Sequence, residues 1–134
     1  MKVAFIFAHP DDEAFGPSGT IMSHVAQDDE VTLVSMCKGN RPGADVEEER
    51  ANTWNEICTR LDVAGIMHNL DDTRMQREET QSLVNKSLDM IKPEIVYTHF
   101  NGDIHQDHRL LSECVQIACR PNPKSSVQKL LMCE

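Results

Sequence analysis

The sequence predicts an α/β fold: a doubly wound, mostly parallel sheet with helices on both faces. Short apolar runs rich in β-branched and aromatic residues recur along the chain, and segments with helical spacing of apolar residues separate them. Strands that alternate with helices form right-handed crossover units, which place successive strands parallel. The length of 134 residues suits a single domain, 1–134, with one core.

The first predicted strand, "VAFIFAH" at 3–9, is almost continuously apolar, which is typical of a strand buried on both faces of a parallel sheet. A helix at 13–27 follows, and its glycines and proline predict irregular first turns. The next predicted elements are a strand at 30–36, a loop at 37–46 and a helix at 47–63. Trp54 has helical spacing from other apolar residues of that helix, so we predict a core position for it.

The second half predicts a strand at 65–70, a helix at 77–93, a strand at 94–100, a helix within 107–120 and a strand at 127–134. A doubly wound sheet takes the strand order 3-2-1-4-5, so strands one and four are neighbours where the winding reverses. Ligands bind in the crevice at the carboxyl ends of those two strands. The loops that follow them are therefore the expected location of the functional site.

Composition excludes several classes of function. The formal charge of -9 disfavours a nucleic-acid binder, which needs a basic face, and no apolar run approaches the length of a membrane span. The five cysteines contain no C-x-x-C pair, which argues against a thiol zinc site and indicates reduced cysteines in a reducing compartment. We therefore expect a cytoplasmic protein. A homo-oligomer is compatible with the sequence.

Ionisable residues cluster directly after strand one. The stretch "FIFAHPDDEAFGPSGTI" at 5–21 places His9, Asp11, Asp12 and Glu13 together, and adjacent carboxylates in a dry site repel one another unless a positive group offsets them. We expect Glu13 in the first helical turn, where its charge suits the helix dipole, and assign it no chemistry.

A second polar cluster, "HFNGDIHQDHRLL" at 99–111, leaves strand four. His105 and His108 are three residues apart, which places them on one face of a helical turn. Topology brings this cluster opposite the first, and histidine with carboxylate is a ligand set that suits zinc and similar divalent ions. The cation would offset the repulsion among the acids. His99 ends strand four near this site and is left unassigned.

"AHPDDE" followed after strand four by "HQDH" resembles the zinc-dependent de-N-acetylases of the PIG-L/LmbE-like family. The resemblance runs from Met1 to the end of the chain and includes "KG" after strand two, Arg50, "LDDTRM" and "ACRP". It implies a Rossmann-like fold, one bound Zn²⁺ and a small-molecule N-acetylglucosamine conjugate as substrate. By position, it implies His9, Asp12 and His108 as metal ligands.

The resemblance also implies the catalytic groups. Asp11 corresponds to the general base, and His105 to the group that stabilises the oxyanion and protonates the leaving amine. Asp107 is expected to orient His105 and raise its pKa. Arg50 and Asp72 stand where the family contacts its sugar, although Arg50 could instead pair with acids of its own helix.

Some features depart from the family. Its domain usually continues beyond the point where this sequence stops, so the part that helps to wall the substrate pocket is expected to be missing. Cys37 and Thr53 replace a small hydroxyl residue and a glutamate that are common there. Besides the de-N-acetylase, two alternatives stay open: a metal-dependent phosphoesterase, and a catalytically incompetent binding domain of the same fold.

Overall fold

A computed structural model describes residues 1–39 and 46–134. Its strands are β1 Lys2–Phe7, β2 Glu30–Cys37, β3 Ala64–Leu70, β4 Ile95–His99 and β5 Lys129–Cys133. Its helices are α1 Asp12–Phe15, α2 Ser18–Ala26, α3 Glu47–Leu61, α4 Arg77–Ile91 and α5 Gln106–Ala118. Most of the loop predicted at 37–46 lies outside the described residues.

The five strands form one parallel sheet in the order β3-β2-β1-β4-β5, which confirms the predicted topology. β1 is paired on both sides: Val3 lies opposite Val31 of β2 and Ile95 of β4. The carboxyl ends of β1 and β4 are therefore neighbours at one edge of the sheet. This is the switch point at which the sequence predicts the functional site.

Alternate residues of β1 contribute to two different hydrophobic layers. Val3, Phe5 and Phe7 pack with residues of α2 and α3, whereas Ala4 and Ile6 pack with residues of α4 and α5. The side-chain period of two along a strand explains this division, because both faces of the sheet are covered. Trp54 is 2% exposed in the first layer, so its predicted core position is confirmed.

The helix predicted at 13–27 is two helices, because the chain breaks at Gly16 and Pro17. Pro17 has no N–H to continue α1, and it precedes the first residue of α2, where helical hydrogen bonding does not require that donor. A Cβ on Gly16 would lie 3.0 Å from the backbone oxygen of Glu134, so the break also brings the end of the chain close to α1.

β5 is an edge strand of the sheet, and two of its apolar side chains are exposed: Leu131 is 42% and Met132 is 38% accessible. Unpaired edges with apolar side chains favour association with another strand. Among the helices of the described residues, none combines the length and the apolar character needed to cross a bilayer.

Candidate metal centre at the carboxyl end of the sheet

Two loops, one after β1 and one after β4, form the candidate site. The backbone N–H of Ala8, just beyond β1, donates to Nε2 of His99, the last residue of β4, at 3.0 Å. This buried contact joins the two strand ends across the switch point. The side chains that follow each strand therefore meet in the same crevice.

Three ligand atoms converge between the loops. His9 Nδ1 and His108 Nε2 lie 3.3 Å apart, and the Asp12 carboxylate oxygens lie 3.5 Å and 3.4 Å from these two nitrogens. Ligands at about 2.0–2.1 Å from a tetrahedral zinc are about 3.3 Å from one another, so the three groups fit such an ion. These residues form one of the His and Asp groups in the described part of the chain that could hold a metal.

The local sequence explains how Asp12 reaches this position. Its Oδ2 accepts a hydrogen bond from the backbone N–H of His9 at 2.8 Å, and the His9 carbonyl accepts from Asp11 N–H at 3.0 Å. The chain thus turns tightly over Pro10, and Asp12 points back beneath His9. Asp11 points elsewhere, to Arg50, as expected for adjacent residues with different roles.

A carboxylate contacts the far ring nitrogen of each histidine. His9 Nε2 lies 2.9 Å from Asp107 Oδ2 and 3.2 Å from Asp72 Oδ1, and His108 Nδ1 lies 2.8 Å from Asp103 Oδ2. A carboxylate accepts, so each ring carries a hydrogen on that nitrogen. Carboxylates in this position orient histidines that bind metals and raise their basicity.

These contacts govern the charge of the cluster. Burial opposes the charged form of His9, but hydrogen bonds to Asp107 and Asp12 outweigh it and raise the pKa of His9 to about 10. Burial likewise opposes the charge of His108, and bonds to Asp12 and Asp103 raise its pKa. For Asp12, burial is outweighed by the contacts with His108, His9 and His99, so its pKa is lowered. A proton on His9 thus offsets the carboxylates in the metal-free protein, and the carboxylates favour the protonated form of His108 as well.

Asp107 contacts both His9 and His105, but through different groups. Its carboxylate contacts His9 and accepts from the backbone N–H of Thr73 at 2.7 Å, while its own backbone N–H donates to His105 Nδ1 at 3.1 Å. Burial, followed by the charges of His9 and His108, lowers the pKa of His105, whereas the charge of Asp107 acts in the opposite direction and raises it. The geometry of the helix start explains these contacts, because His105 caps α5 while Asp107 is buried in its first turn.

His105 therefore presents a hydrogen-bond donor. In neutral imidazole one ring nitrogen accepts and the other carries the proton. Since His105 Nδ1 accepts from the Asp107 backbone, the hydrogen lies on Nε2. Its ring centroid lies 4.9 Å from that of His9 and 4.5 Å from that of His108, beside the converging ligands.

Arg50 reaches the site from α3. Its Nη2 donates to Asp11 Oδ2 at 3.2 Å and its Nη1 donates to the Gly39 carbonyl at 3.3 Å. Gly39 has a φ of +80°, and a Cβ there would lie 2.7 Å from Arg50 Cδ, so glycine is required for both its conformation and this close approach. These contacts place Arg50 at the metal-site loop, in contrast to the alternative of a pair within its own helix.

A cavity of about 200 Å³ opens over the converging ligands. Its lining contains seven of the eight predicted site residues together with Phe15: His9, Asp11, Asp12, Phe15, Arg50, Asp72, His105 and His108. Asp107 is the predicted residue outside this lining, and it lies behind His9. Phe15 is 87% exposed at the rim. The structure thus brings the predicted set together, while the chemical roles stay predictions.

Two contributors were not assigned from sequence. Asp103 contacts His108, and the His99 ring stacks on the His108 ring with centroids 3.7 Å apart and planes at 7°. The position of His99 at the end of β4 could have indicated that it belongs to the site, whereas Asp103 in "NGD" has the composition of an ordinary turn. Glu13 lies in α1 as expected but is buried, which raises its pKa to about 7.

Comparison with known proteins adds a family and a fold. The family model PIG-L, GlcNAc-PI de-N-acetylase, matches residues 4–119. A curated relative from Bacillus anthracis, named "Probable N-acetyl-alpha-D-glucosaminyl L-malate deacetylase 2", is 26% identical over 138 residues, which cover 92% of this chain and 61% of the relative.

Two solved structures share the fold. The conserved protein TT1542 from Thermus thermophilus matches with a TM-score of 0.82 at 19% identity, over 97% of this chain and 64% of its own. N,N'-diacetylchitobiose deacetylase from Pyrococcus horikoshii matches with a TM-score of 0.70 at 26% identity, over 90% of this chain and 51% of its own. The chain spans less than two thirds of the length of each of these three proteins.

Proposed function

Because the chain belongs to the PIG-L family, we propose that it is a zinc-dependent hydrolase that removes the N-acetyl group from an N-acetylglucosamine-type conjugate. The observation that carries the proposal is the convergence of His9 Nδ1, His108 Nε2 and the Asp12 carboxylate beside Asp11 and His105 in one cavity. The similar proteins from Bacillus anthracis and Pyrococcus horikoshii described above are, by name, deacetylases of N-acetylated sugars, which supports the substrate class.

His9, Asp12 and His108 would hold the metal. Three protein ligands of nitrogen and oxygen type leave a fourth position open, which is the composition of a catalytic rather than a structural zinc site. When bound, zinc supplies a Lewis acid that lowers the pKa of water to about 7 and polarises the amide carbonyl.

Asp11 is our general base. It lies next to a metal ligand in sequence, its carboxylate contacts Arg50, and 40% of its side chain is exposed in the cavity that the ligands line. A carboxylate in that position can accept the proton of the attacking water. The Arg50 guanidinium keeps it oriented, and the same proton can return to the leaving nitrogen.

His105 stabilises the oxyanion in this scheme. Its Nε2–H is a donor directed by the Asp107 backbone, and its lowered pKa favours neutral imidazole, which donates a hydrogen bond but has no spare proton to give. We therefore assign the proton of the leaving amine to Asp11, which takes it from water. His105 contributes a preorganised donor to the developing negative charge.

We propose that Arg50 and Asp72 bind the sugar. Arg50 lines the cavity from α3 and Asp72 lines it from the segment after β3. They combine a donor fork with an acceptor, which suits the hydroxyls of a sugar ring. We also propose a cytoplasmic location, because all five cysteines are free and four are buried.

The test is acetate release from a panel of N-acetylglucosamine conjugates, measured with chelator-treated protein before and after zinc is restored. We expect release only with zinc. Zinc and sugar binding without release would favour the binding-domain alternative, and release that ignores the chelator would refute the role of the metal. Phosphomonoesters in the same panel test the phosphoesterase alternative.

A further inference from the structure

We propose that Asp103 is a positioning residue of the metal centre: it fixes the His108 ring with its hydrogen on Nδ1, so that Nε2 is left to bind the metal. The inference rests on the metal site in the proposed function. It concerns metal affinity and not the reaction, so the two can fail separately.

Both carboxylate oxygens of Asp103 are engaged. Oδ2 accepts from His108 Nδ1 at 2.8 Å, and Oδ1 accepts from the backbone N–H of His105, the residue that caps α5, at 2.8 Å. The Asp103 carbonyl also accepts from Arg109 Nη1 at 2.9 Å. Both the side chain and the backbone of Asp103 are therefore held, and the side chain ties the start of α5 to the ligand histidine in its first turn.

The tautomer follows from the chemistry of this contact. An ionised carboxylate only accepts, so the His108 nitrogen that faces it must carry the hydrogen. Neutral imidazole then has its lone pair on Nε2, the nitrogen that lies 3.3 Å from His9 Nδ1 and 3.4 Å from Asp12 Oδ1. The opposite tautomer would place a hydrogen at the point where the three ligands converge and would block binding.

The plane of the ring is restrained separately. His99 stacks on His108 at 3.7 Å and is itself held by the Ala8 N–H. Stacking limits the tilt of the ring but does not distinguish its two nitrogens. Asp103 supplies that distinction, which assigns it a role that His99 cannot perform.

Asp103 is better described as a positioning residue than as a ligand. Its Oδ2 lies on the Nδ1 side of the His108 ring, whereas the other candidate ligands lie on the Nε2 side. A carboxylate that supports a ligand histidine in this way contributes about 10–100-fold to metal affinity.

The experiment measures the zinc Kd of the full chain by competition with a chelator, for wild type, Asp103→Ala, His108→Ala and the double variant. Asp103→Ala is expected to weaken binding about 10–100-fold while one zinc per chain is kept. If Asp103 acts through His108, the double variant should bind no more weakly than His108→Ala. Glu113→Ala is the matched control. It also removes one carboxylate, but at an exposed position of α5 where the side chain pairs with Arg77.

Unchanged affinity in Asp103→Ala would overturn the proposal. A further loss in the double variant, comparable with the single loss, would overturn it in favour of direct ligation. Thermal unfolding of the zinc-free variants detects a general structural effect. Such an effect would make the melting temperature of Asp103→Ala differ from that of Glu113→Ala before zinc is added. Failure of the proposed hydrolysis has a different signature: tight zinc binding by wild type without acetate release.

Discussion

The loop after β1 and the loop after β4 each provide one histidine to the candidate metal centre, but they hold these histidines through contacts of different range. His9 is supported by Asp107, 98 residues away, and by Asp72, whereas His108 is supported by Asp103, only five residues away. His9 is also more buried, with 8% of its side chain exposed against 15% for His108. The first half of the site therefore exists only in the folded chain, and the second half is largely local.

This difference has a consequence for stability and for binding. The contacts of His9 connect the end of β1 to α5 and to the segment that precedes α4. Their loss should therefore lower both the stability of the fold and the affinity for zinc. Apart from its contacts with His9 and Asp12 at the convergence point, His108 is supported from within one loop and one helical turn. Loss of that support should affect mainly zinc.

The largest effect is expected for Asp11→Asn, which tests whether the first loop separates ligation from catalysis. The amide cannot accept a proton, so kcat for acetate release should fall by about 10²–10⁴-fold. Zinc affinity should change little, because Asp11 contacts Arg50 and not the converging nitrogens. Loss of zinc together with activity would mean that Asp11, not Asp12, is the ligand.

The second prediction compares His9→Ala with His108→Ala in the zinc-free protein. The charged His9 ring lies against the carboxylates of Asp12, Asp72 and Asp107, so its removal takes away a buried positive charge that offsets them and should cost about 3–5 kcal/mol of the free energy of unfolding. His108→Ala should cost less. Urea unfolding with chelator present measures both.

His9→Gln provides a second variant if His9→Ala does not fold, because its amide can still donate to one carboxylate. A stability loss in His108→Ala equal to that in the His9 variants would contradict the distinction between a long-range and a local half-site.

The same distinction explains how much of this molecule the sequence could predict. The strand order follows from alternation and from crossover handedness, and motif position places His9, Asp12, His105 and His108 in one crevice. Gly16 and Pro17 predicted an irregular start of the helix at 13–27. That they divide it into two separate helices could be seen only in the structure.

The partner of Asp107 could not be predicted from spacing. Several histidines lie within reach of its carboxylate, and the choice of His9 depends on the direction of the side chain at the second residue of α5. Asp103 was missed for the opposite reason. Its contact with His108 is local, but "NGD" is also a common turn sequence, so nothing in its composition indicates a metal site.

Asp107→Asn tests which histidine the Asp107 carboxylate supports. Because the carboxylate supports His9, we expect about 10–100-fold weaker zinc binding, measured by chelator competition. The sequence alone instead predicts a downward shift of the alkaline limb of the pH–rate profile through His105. Unchanged zinc affinity combined with that shift would show that Asp107 acts on His105, as the sequence predicts.

The last prediction is a pH dependence of zinc binding that reports on both loops. The pKa of His9 is raised to about 10, so its ring holds a proton at pH 7 in the metal-free site, and the raised pKa of His108 shifts that ring toward its protonated form. Zinc needs the lone pairs of His9 Nδ1 and His108 Nε2, so its binding must release protons. Affinity should then rise between pH 6 and pH 8, by about tenfold per pH unit for each proton released, because a raised pKa makes protons stronger competitors at lower pH. Calorimetric titration with zinc in buffers of different ionisation enthalpy counts these protons. His108→Ala should release fewer protons than wild type, with the remainder from His9, and zinc binding without proton release would show that the two histidines are already neutral in the metal-free protein.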